Sequence, residues 1–231
     1  MAVLSSVLAG ILIAMPVLNL RGDYLAIITL AFGEIVRIIL LNWSSITNGP
    51  RGIANIPAPD FFGIQFKGLL AANQYTYFVV IGILLLIVFV VTRMEVSRIG
   101  RSWESLREDS LASEAMGIDQ FSTKVTIFAV GSGIAGIAGV LFAGNVNYIN
   151  PSSFDVLASI IVLCIIVLGG IGSISGTFLG AGILILLPEY LRFLSNYRLL
   201  VFGAILVIMM QFCPSGLIRK HRRVYLIQKD R

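Results

Sequence analysis

The sequence predicts an all-α, polytopic membrane protein with about seven transmembrane helices and Gly-rich helix packing. Hydrophobic residues make up 57% of its 231 residues and charged residues only 13%, whereas soluble domains carry about 25% charged residues. Apolar runs close to the length that a bilayer requires, about 20 residues, recur along the chain. Because so little polar surface cannot cover a water-soluble core, we expect most helices to lie in lipid.

Seven apolar runs are the candidate spans. The second contains Glu34 and Arg37, and the third is short for a bilayer. No charged residue lies between Asp155 and Glu189, and GGIGSISG (169–176) interrupts that stretch, so we predict two shortened spans joined by a tight turn. The predicted spans are 2–19, 24–43, 77–92, 127–144, 156–171, 175–190 and 198–213.

Basic residues predict the orientation. The tail 219–231 is basic, and the polar segment, residues 93–124, holds five basic and six acidic residues. Basic loops favour the cytoplasm, and acidic residues contribute little to that preference. We therefore predict a transmembrane domain, 1–218, whose polar segment is cytoplasmic, and a cytoplasmic tail. Residues 44–76 and the N terminus then lie outside, and 48–63 is predicted to be a Gly- and Pro-rich loop without a strand pair.

Several sites and partners are not expected. Cys164 and Cys213 lie in apolar runs, where cysteine acts as a small hydrophobe, so we predict no disulfide, metal or cofactor. The only histidine, His221, belongs to the basic tail. No nucleic-acid-binding motif accompanies that tail, so nucleic acid is not an expected partner. The first 20 residues lack Lys and Arg, which favours a retained span over a cleaved signal peptide.

Small residues recur at helical spacing in the later spans. Such residues let helices approach closely in lipid, where apolar burial does not drive association. The pattern predicts helix packing within the subunit, or a face that lines a pathway or meets a second membrane subunit. The residues are Gly133, Gly136, Gly139, Gly172, Gly176 and Gly180.

Glu34 and Arg37 lie three residues apart, on one face of the second span. A charge inside the bilayer is costly, so such residues pair with one another or face protein or water. Two interpretations stay open: a local ion pair that anchors the helix, and a polar lining of the translocation path. A proton relay would need further acids or a histidine within the spans, and the sequence offers only Glu189, next to the end of the span 175–190.

The polar segment contains a short predicted helix. Ser110 is a candidate N-cap, and Gly117 is a candidate residue to end the helix in the left-handed conformation. Its apolar residues form no clean stripe, so it is not a good membrane-surface helix. It is either a capped projection presented to another protein or a solvated loop.

Several motifs, in order, carry a resemblance to a known family. They are LRGDYLAIITLAFGEIVRIILLNW, TNGPRGI, GRSWESLREDSLASEAMGI, LASIIVLCIIVLGGIGSISGTFLGA, LPEYLR and YRLLVFGAILVIMMQFCPSGL. From Leu20 to Leu217, the chain resembles the LivM-type branched-chain amino-acid permeases of bacterial ABC importers. Members of that family usually carry further helices before LRGDYLAI, whereas this chain begins one span upstream of it.

The resemblance implies a role for the polar segment. In ABC importers, a cytoplasmic loop with an EAA…G-like pattern forms the coupling helix that docks into the ATPase. Glu114, Ala115 and Gly117 match that pattern, whereas Ala112-Ser113 replaces the usual pair of alanines. The resemblance also implies that the family's RED run orients the loop; its residues here are Arg107, Glu108 and Asp109.

The implied partners are two ATP-binding subunits, a second related permease and an extracytoplasmic substrate-binding protein in a prokaryotic inner membrane. No GxxxxGK[ST] phosphate loop occurs in the sequence, so this chain is expected to be no enzyme, with ATP hydrolysed elsewhere. Import of branched-chain amino acids is the first prediction. The alternatives are urea or short amides as cargo, an ion-coupled secondary carrier, and a non-transporting membrane scaffold.

Overall fold

A computed structural model describes residues 1–17, 23–57 and 69–190, with residues 203, 207, 211 and 216–218. The predicted span 198–213 falls largely, and the tail 219–231 wholly, outside the described residues. The α-helices are α1 (Ala2–Val17), α2 (Asp23–Asn42), α3 (Ser44–Thr47), α4 (Leu69–Val96), α5 (Arg98–Glu108), α6 (Ser110–Ala115), α7 (Gln120–Val146), α8 (Val156–Gly169) and α9 (Ile174–Tyr190).

Several of these helices are long and apolar enough to cross a membrane. Among the described residues they are Gln74–Val96, Gln120–Val146 and Pro151–Gly169. The helical segments Ile27–Asn42 and Ser44–Arg51 are bent by 75° relative to each other. If they are counted as one broken span, they form a fourth crossing. The predicted all-α membrane character agrees with this architecture, while the number of seven spans stays a prediction. The third predicted span, 77–92, is too short, because α4 has 28 residues.

The chain divides into two units, Met1–Asp155 and Val156–Arg231. In the first unit, α1 packs antiparallel against α7 through small residues. A Cβ added at Gly136 would lie 2.6 Å from Ser6 Cβ, and one at Gly133 would lie 3.2 Å from Val7. The Ser6 hydroxyl also donates a hydrogen bond to the Ser132 carbonyl. The absence of side chains on these glycines therefore allows the close approach of the two backbones.

Within the described part of residues 48–63, no two strands pair with each other, as the sequence predicts, but one two-residue strand is present. The strand β1 (Ile53–Ala54) pairs antiparallel with β2 (Tyr148–Ile149), directly after α7. Tyr148 Oη donates to the Arg51 carbonyl at 3.0 Å, and Asn150 Nδ2 donates to the Pro50 carbonyl at 3.1 Å. The C-terminal ends of α2 and α7 thus lie on one side of the protein, as the predicted topology requires.

In the second unit, α8 and α9 form a tight helical hairpin. The predicted break within 156–190 is present, because α8 ends at Gly169 and α9 begins at Ile174. Ser173 stabilises the start of α9, where its hydroxyl accepts a hydrogen bond from the Gly176 N–H at 3.1 Å. The helices bury a small core of Cys164, Ile165, Leu168 and Leu184.

Candidate functional site

The polar segment folds into two short helices between the spans α4 and α7. The chain bends at Ser97, whose hydroxyl accepts a hydrogen bond from the Gly100 N–H at 3.2 Å and donates to the Met94 carbonyl at 2.6 Å. A Cβ at Gly100 would lie 2.7 Å from Glu95 Cα. Glycine therefore allows α5 to begin immediately against the end of α4.

Asp109 joins α5 to α6 and caps the second helix. Its backbone is extended, with φ −151° and ψ 113°. Asp109 Oδ1 accepts hydrogen bonds from the N–H groups of Leu111 at 2.9 Å and Ala112 at 3.1 Å. The predicted cap Ser110 is wrong, since Ser110 is already the first residue of α6. The Asp109 carboxylate satisfies N–H groups that the first turn of a helix leaves without partners.

Ser113 anchors α6 to α5. Its side chain is 3% exposed, and its hydroxyl is hydrogen-bonded to the hydroxyl of Ser105 and to the Asp109 carbonyl. Leu111 and Met116, in contrast, are 63% and 83% exposed. The helix thus turns a polar residue towards the protein and leaves apolar residues accessible. An ordinary surface helix does the opposite, because it buries its apolar face and exposes its polar one.

Gly117 ends the projection in the left-handed conformation, with φ +83°, as the sequence predicts. The Gly117 N–H donates to the Glu114 carbonyl at 2.9 Å, and the Ile118 N–H donates to the Ser113 carbonyl at 3.0 Å. These two bonds satisfy carbonyl groups at the end of α6, as in a Schellman motif. The helix is therefore capped at both ends despite having only six residues.

A second set of hydrogen bonds attaches α6 to the start of α7. Gln120 Nε2 donates to the Ser110 carbonyl at 2.9 Å and to Glu114 Oε2 at 2.7 Å. Trp103 of α5 also donates from Nε1 to Thr126 Oγ1, at 3.3 Å. A displacement of α6 would therefore be transmitted to α7 through hydrogen bonds as well as through the chain.

Asp119 caps α7 and has a lowered pKa. The hydroxyl of Ser122 contributes most, followed by the N–H groups of Ser122 and Phe121, which donate to the carboxylate. A carboxyl whose folded pKa is lowered stabilises the fold above its unfolded pKa and loses that contribution as pH falls through the folded value. The cap is thus complete at neutral pH.

The structure places the sequence-predicted residues of the polar segment in different surroundings. Asp109, Glu114 and Gly117 hold α6 in place, while the side chains of Arg107, Glu108 and Ala115 are exposed. Sequence reasoning missed Ser105, Ser113 and Gln120. The departure from the family pattern at Ser113 is the signal that could have identified the anchor, because an exposed helix would not need that hydroxyl.

Replacing Asp109 by Ala is expected to loosen α6. The loss of an N-cap costs about 0.5–2 kcal/mol of helix stability, so backbone amides of α6 should exchange with deuterium faster than in the wild type. Asp109→Asn is the matched control, because asparagine caps as well as aspartate. Equal exchange in the Ala variant and the wild type would show that the cap does not hold α6.

Glu34 and Arg37 form a bidentate ion pair in α2. Arg37 Nε donates to Glu34 Oε2 at 2.9 Å, and Arg37 Nη2 donates to Glu34 Oε1. The Glu34 side chain is 30% exposed and the Arg37 side chain is 22% exposed. The pair is thus formed within one helix and remains partly accessible.

The predicted packing glycines differ in their surroundings. Gly133 and Gly136 face α1, and Gly176 and Gly180 face α8. Nothing lies within 4 Å of a Cβ added at Gly139. Gly172 has φ +89° and belongs to the turn before α9, where glycine is favoured for its conformation.

These features define a multi-pass helical membrane protein that carries a short, doubly capped helix between two of its spans. The family model for the permease component of branched-chain amino acid transport systems matches residues 1–210. The chain therefore belongs to this permease family.

Individual relatives support the same assignment. The high-affinity branched-chain amino acid transport system permease protein LivM of Salmonella typhimurium is 40% identical over 94% of this chain and 56% of the relative. LivM of Escherichia coli is 40% identical over 91% of this chain and 54% of the relative. The permease protein LivH of Escherichia coli is 29% identical over 78% of this chain and 60% of the relative. The chain thus spans about half the length of the LivM relatives. No solved structure matches it.

Proposed function

We propose that this chain is a transmembrane permease subunit of an ATP-binding-cassette importer that moves branched-chain amino acids into a prokaryotic cell. The observation that carries the proposal is the α5–α6 projection in a chain that matches a permease family over residues 1–210. Two partner subunits hydrolyse ATP, a second related permease completes the path, and an extracytoplasmic binding protein delivers the cargo. The polar segment is cytoplasmic, and the subunit lies in the inner membrane.

The projection suits the transfer of motion from a partner. It is capped at both ends, anchored to α5 by Ser113 and attached to α7 by Gln120. A rigid element that receives a partner's closure moves as one body with the helices to which it is attached. The exposed apolar residues Leu111 and Met116 provide area that a protein partner would bury.

α7 packs closely against α1, and within the second unit α9 packs closely against α8. A force that reaches α7 from the projection therefore acts on a well-defined pair of helices. Small residues at these contacts permit the backbones to slide with little side-chain obstruction. We propose that Gly133, Gly136, Gly176 and Gly180 serve this packing, in a domain of about seven spans.

Reconstitution tests the function. The chain is placed in proteoliposomes with candidate partners from neighbouring genes, and uptake of radiolabelled leucine, urea and acetamide is measured. We expect leucine uptake that requires ATP and both ATP-binding subunits and survives a protonophore. Uptake that persists without ATP and collapses with the protonophore would establish a secondary carrier instead. Uptake of urea or acetamide in place of leucine would contradict the proposed cargo.

A further inference from the structure

The ion pair of α2 lies near the middle of its helix. Roughly 16 Å of α2 precede Glu34 at the α-helical rise per residue, and roughly 12 Å follow it. In a helix that crosses a bilayer of about 30 Å, this position is deep in the hydrocarbon region. Charges at that depth face protein or water, because lipid cannot solvate them.

Both charged groups remain accessible from outside the helix. The bidentate contact leaves the Glu34 side chain 30% and the Arg37 side chain 22% exposed. Beside them, a Cβ added at Gly33 would meet nothing within 4 Å. The exposed surface therefore offers a carboxylate, a guanidinium group and an open stretch of backbone to a molecule that enters from the side.

A third charge acts on the same guanidinium group. Asp155, in the loop after β2, exerts a Coulombic influence on Arg37. Arg37 is therefore under the influence of two carboxylates, Glu34 on its own helix and Asp155 in the loop.

We infer that Glu34 and Arg37 bind the main chain of the transported amino acid, an inference that rests on the proposed function. Glu34 accepts hydrogen bonds from the α-ammonium group. Arg37 donates two parallel hydrogen bonds to the α-carboxylate, because the spacing of two guanidinium N–H groups matches that of the two carboxylate oxygens.

A zwitterion matches this site because it exchanges partners without changing the charge. Within a bilayer, breaking an ion pair is costly when one charge is left uncompensated. A zwitterion supplies one cation and one anion, so each protein group gains a partner as it loses one. A ligand with a single charge leaves Glu34 or Arg37 without compensation, and a neutral amide supplies no full charge to either.

Competition on the wild-type importer tests the inference directly. The complete complex in lipid nanodiscs is incubated with millimolar radiolabelled leucine, without binding protein. The competitors are isoamylamine, which keeps only the cation, and 4-methylpentanoate, which keeps only the anion. We expect unlabelled leucine to displace the label an order of magnitude better than either competitor. Equal displacement by one of them, or no leucine binding, overturns the inference.

A charge swap separates binding from a structural role. The double variant Glu34→Arg/Arg37→Glu keeps an ion pair at the same spacing and reverses its direction. We expect it to assemble with the ATP-binding subunits and to lose most leucine uptake, because the ammonium and carboxylate sites exchange places. Thr29→Val on the same helix is the control and should transport normally. Wild-type uptake by the swap variant overturns the inference; if the variant fails to assemble, the wild-type competition decides.

The two proposals fail in different ways. If the wild-type complex does not take up leucine at all, the proposed cargo is wrong. If the wild type takes up leucine and the swap variant does so at the same rate, the importer function stands and only the role of the ion pair is wrong.

Discussion

Replacing residues 110–117 by a Gly-Ser linker of equal length is expected to reduce leucine uptake to the background of cells without the transporter. The replacement removes α6, its Asp109-capped first turn and its contacts to Gln120. The long apolar helices α4 and α7 do not depend on those residues for insertion, since lipid itself favours their burial. Membrane abundance should therefore remain near the wild-type level in immunoblots, while radiolabelled uptake disappears. Normal uptake by this variant would refute the coupling role.

Two substitutions at Gly117 refine that experiment. Nothing lies within 4 Å of a Cβ at Gly117, so a side chain there meets no steric obstacle among the described residues, and the strain comes from φ +83°. A left-handed conformation costs an L-residue about 1–2 kcal/mol, whereas asparagine tolerates it. We expect Gly117→Val to lower uptake strongly and Gly117→Asn to retain much of it. Equal uptake by both variants would show that the turn conformation is unimportant.

Replacing Gly176 by Leu is expected to destabilise the helical hairpin α8–α9. A Cβ at Gly176 would overlap the carbonyl oxygen of Gly169, and one at Gly180 would lie 2.6 Å from the Ile165 carbonyl oxygen. Overpacking usually costs about 1–3 kcal/mol, and here the obstacle is backbone that cannot change rotamer. We expect lower membrane abundance and a lower melting temperature in fluorescence-detected size-exclusion chromatography.

Gly182 provides the matched control on the same helix. Nothing lies within 4 Å of a Cβ added there, so Gly182→Leu adds the same apolar mass without a clash. The control should melt near the wild-type temperature. If Gly176→Leu and Gly182→Leu melt together, close packing at Gly176 does not stabilise the hairpin.

Local signals in the sequence predicted the parts of the structure that depend on local chemistry. Charges end the apolar runs, and glycine and serine break the stretch between Asp155 and Glu189, so the helices and the turn before α9 were predictable. Gly117 was predictable too, because few other residues favour a positive φ.

Other features depend on competing or distant residues. Asp109 and Ser110 are both good N-caps, so the sequence leaves the first residue of α6 open, and in the structure Asp109 is the cap. The β1–β2 ladder joins segments about a hundred residues apart, and two-residue strands leave no periodic pattern. The glycines that contact a neighbouring helix likewise depend on how each helix is rotated about its own axis. The spacing of glycines along the sequence does not determine that rotation.

The side of the membrane on which α6 lies decides whether an ATP-binding subunit can reach it. Leu111→Cys and, as an external control, Arg51→Cys are introduced separately in a background where Cys164 and Cys213 are replaced by alanine. Both positions are exposed. With a membrane-impermeant maleimide, we expect labelling of Leu111→Cys in inside-out vesicles only, and of Arg51→Cys in intact spheroplasts. Labelling of Leu111→Cys in intact spheroplasts would put α6 outside the cell, where no ATP-binding subunit could move it.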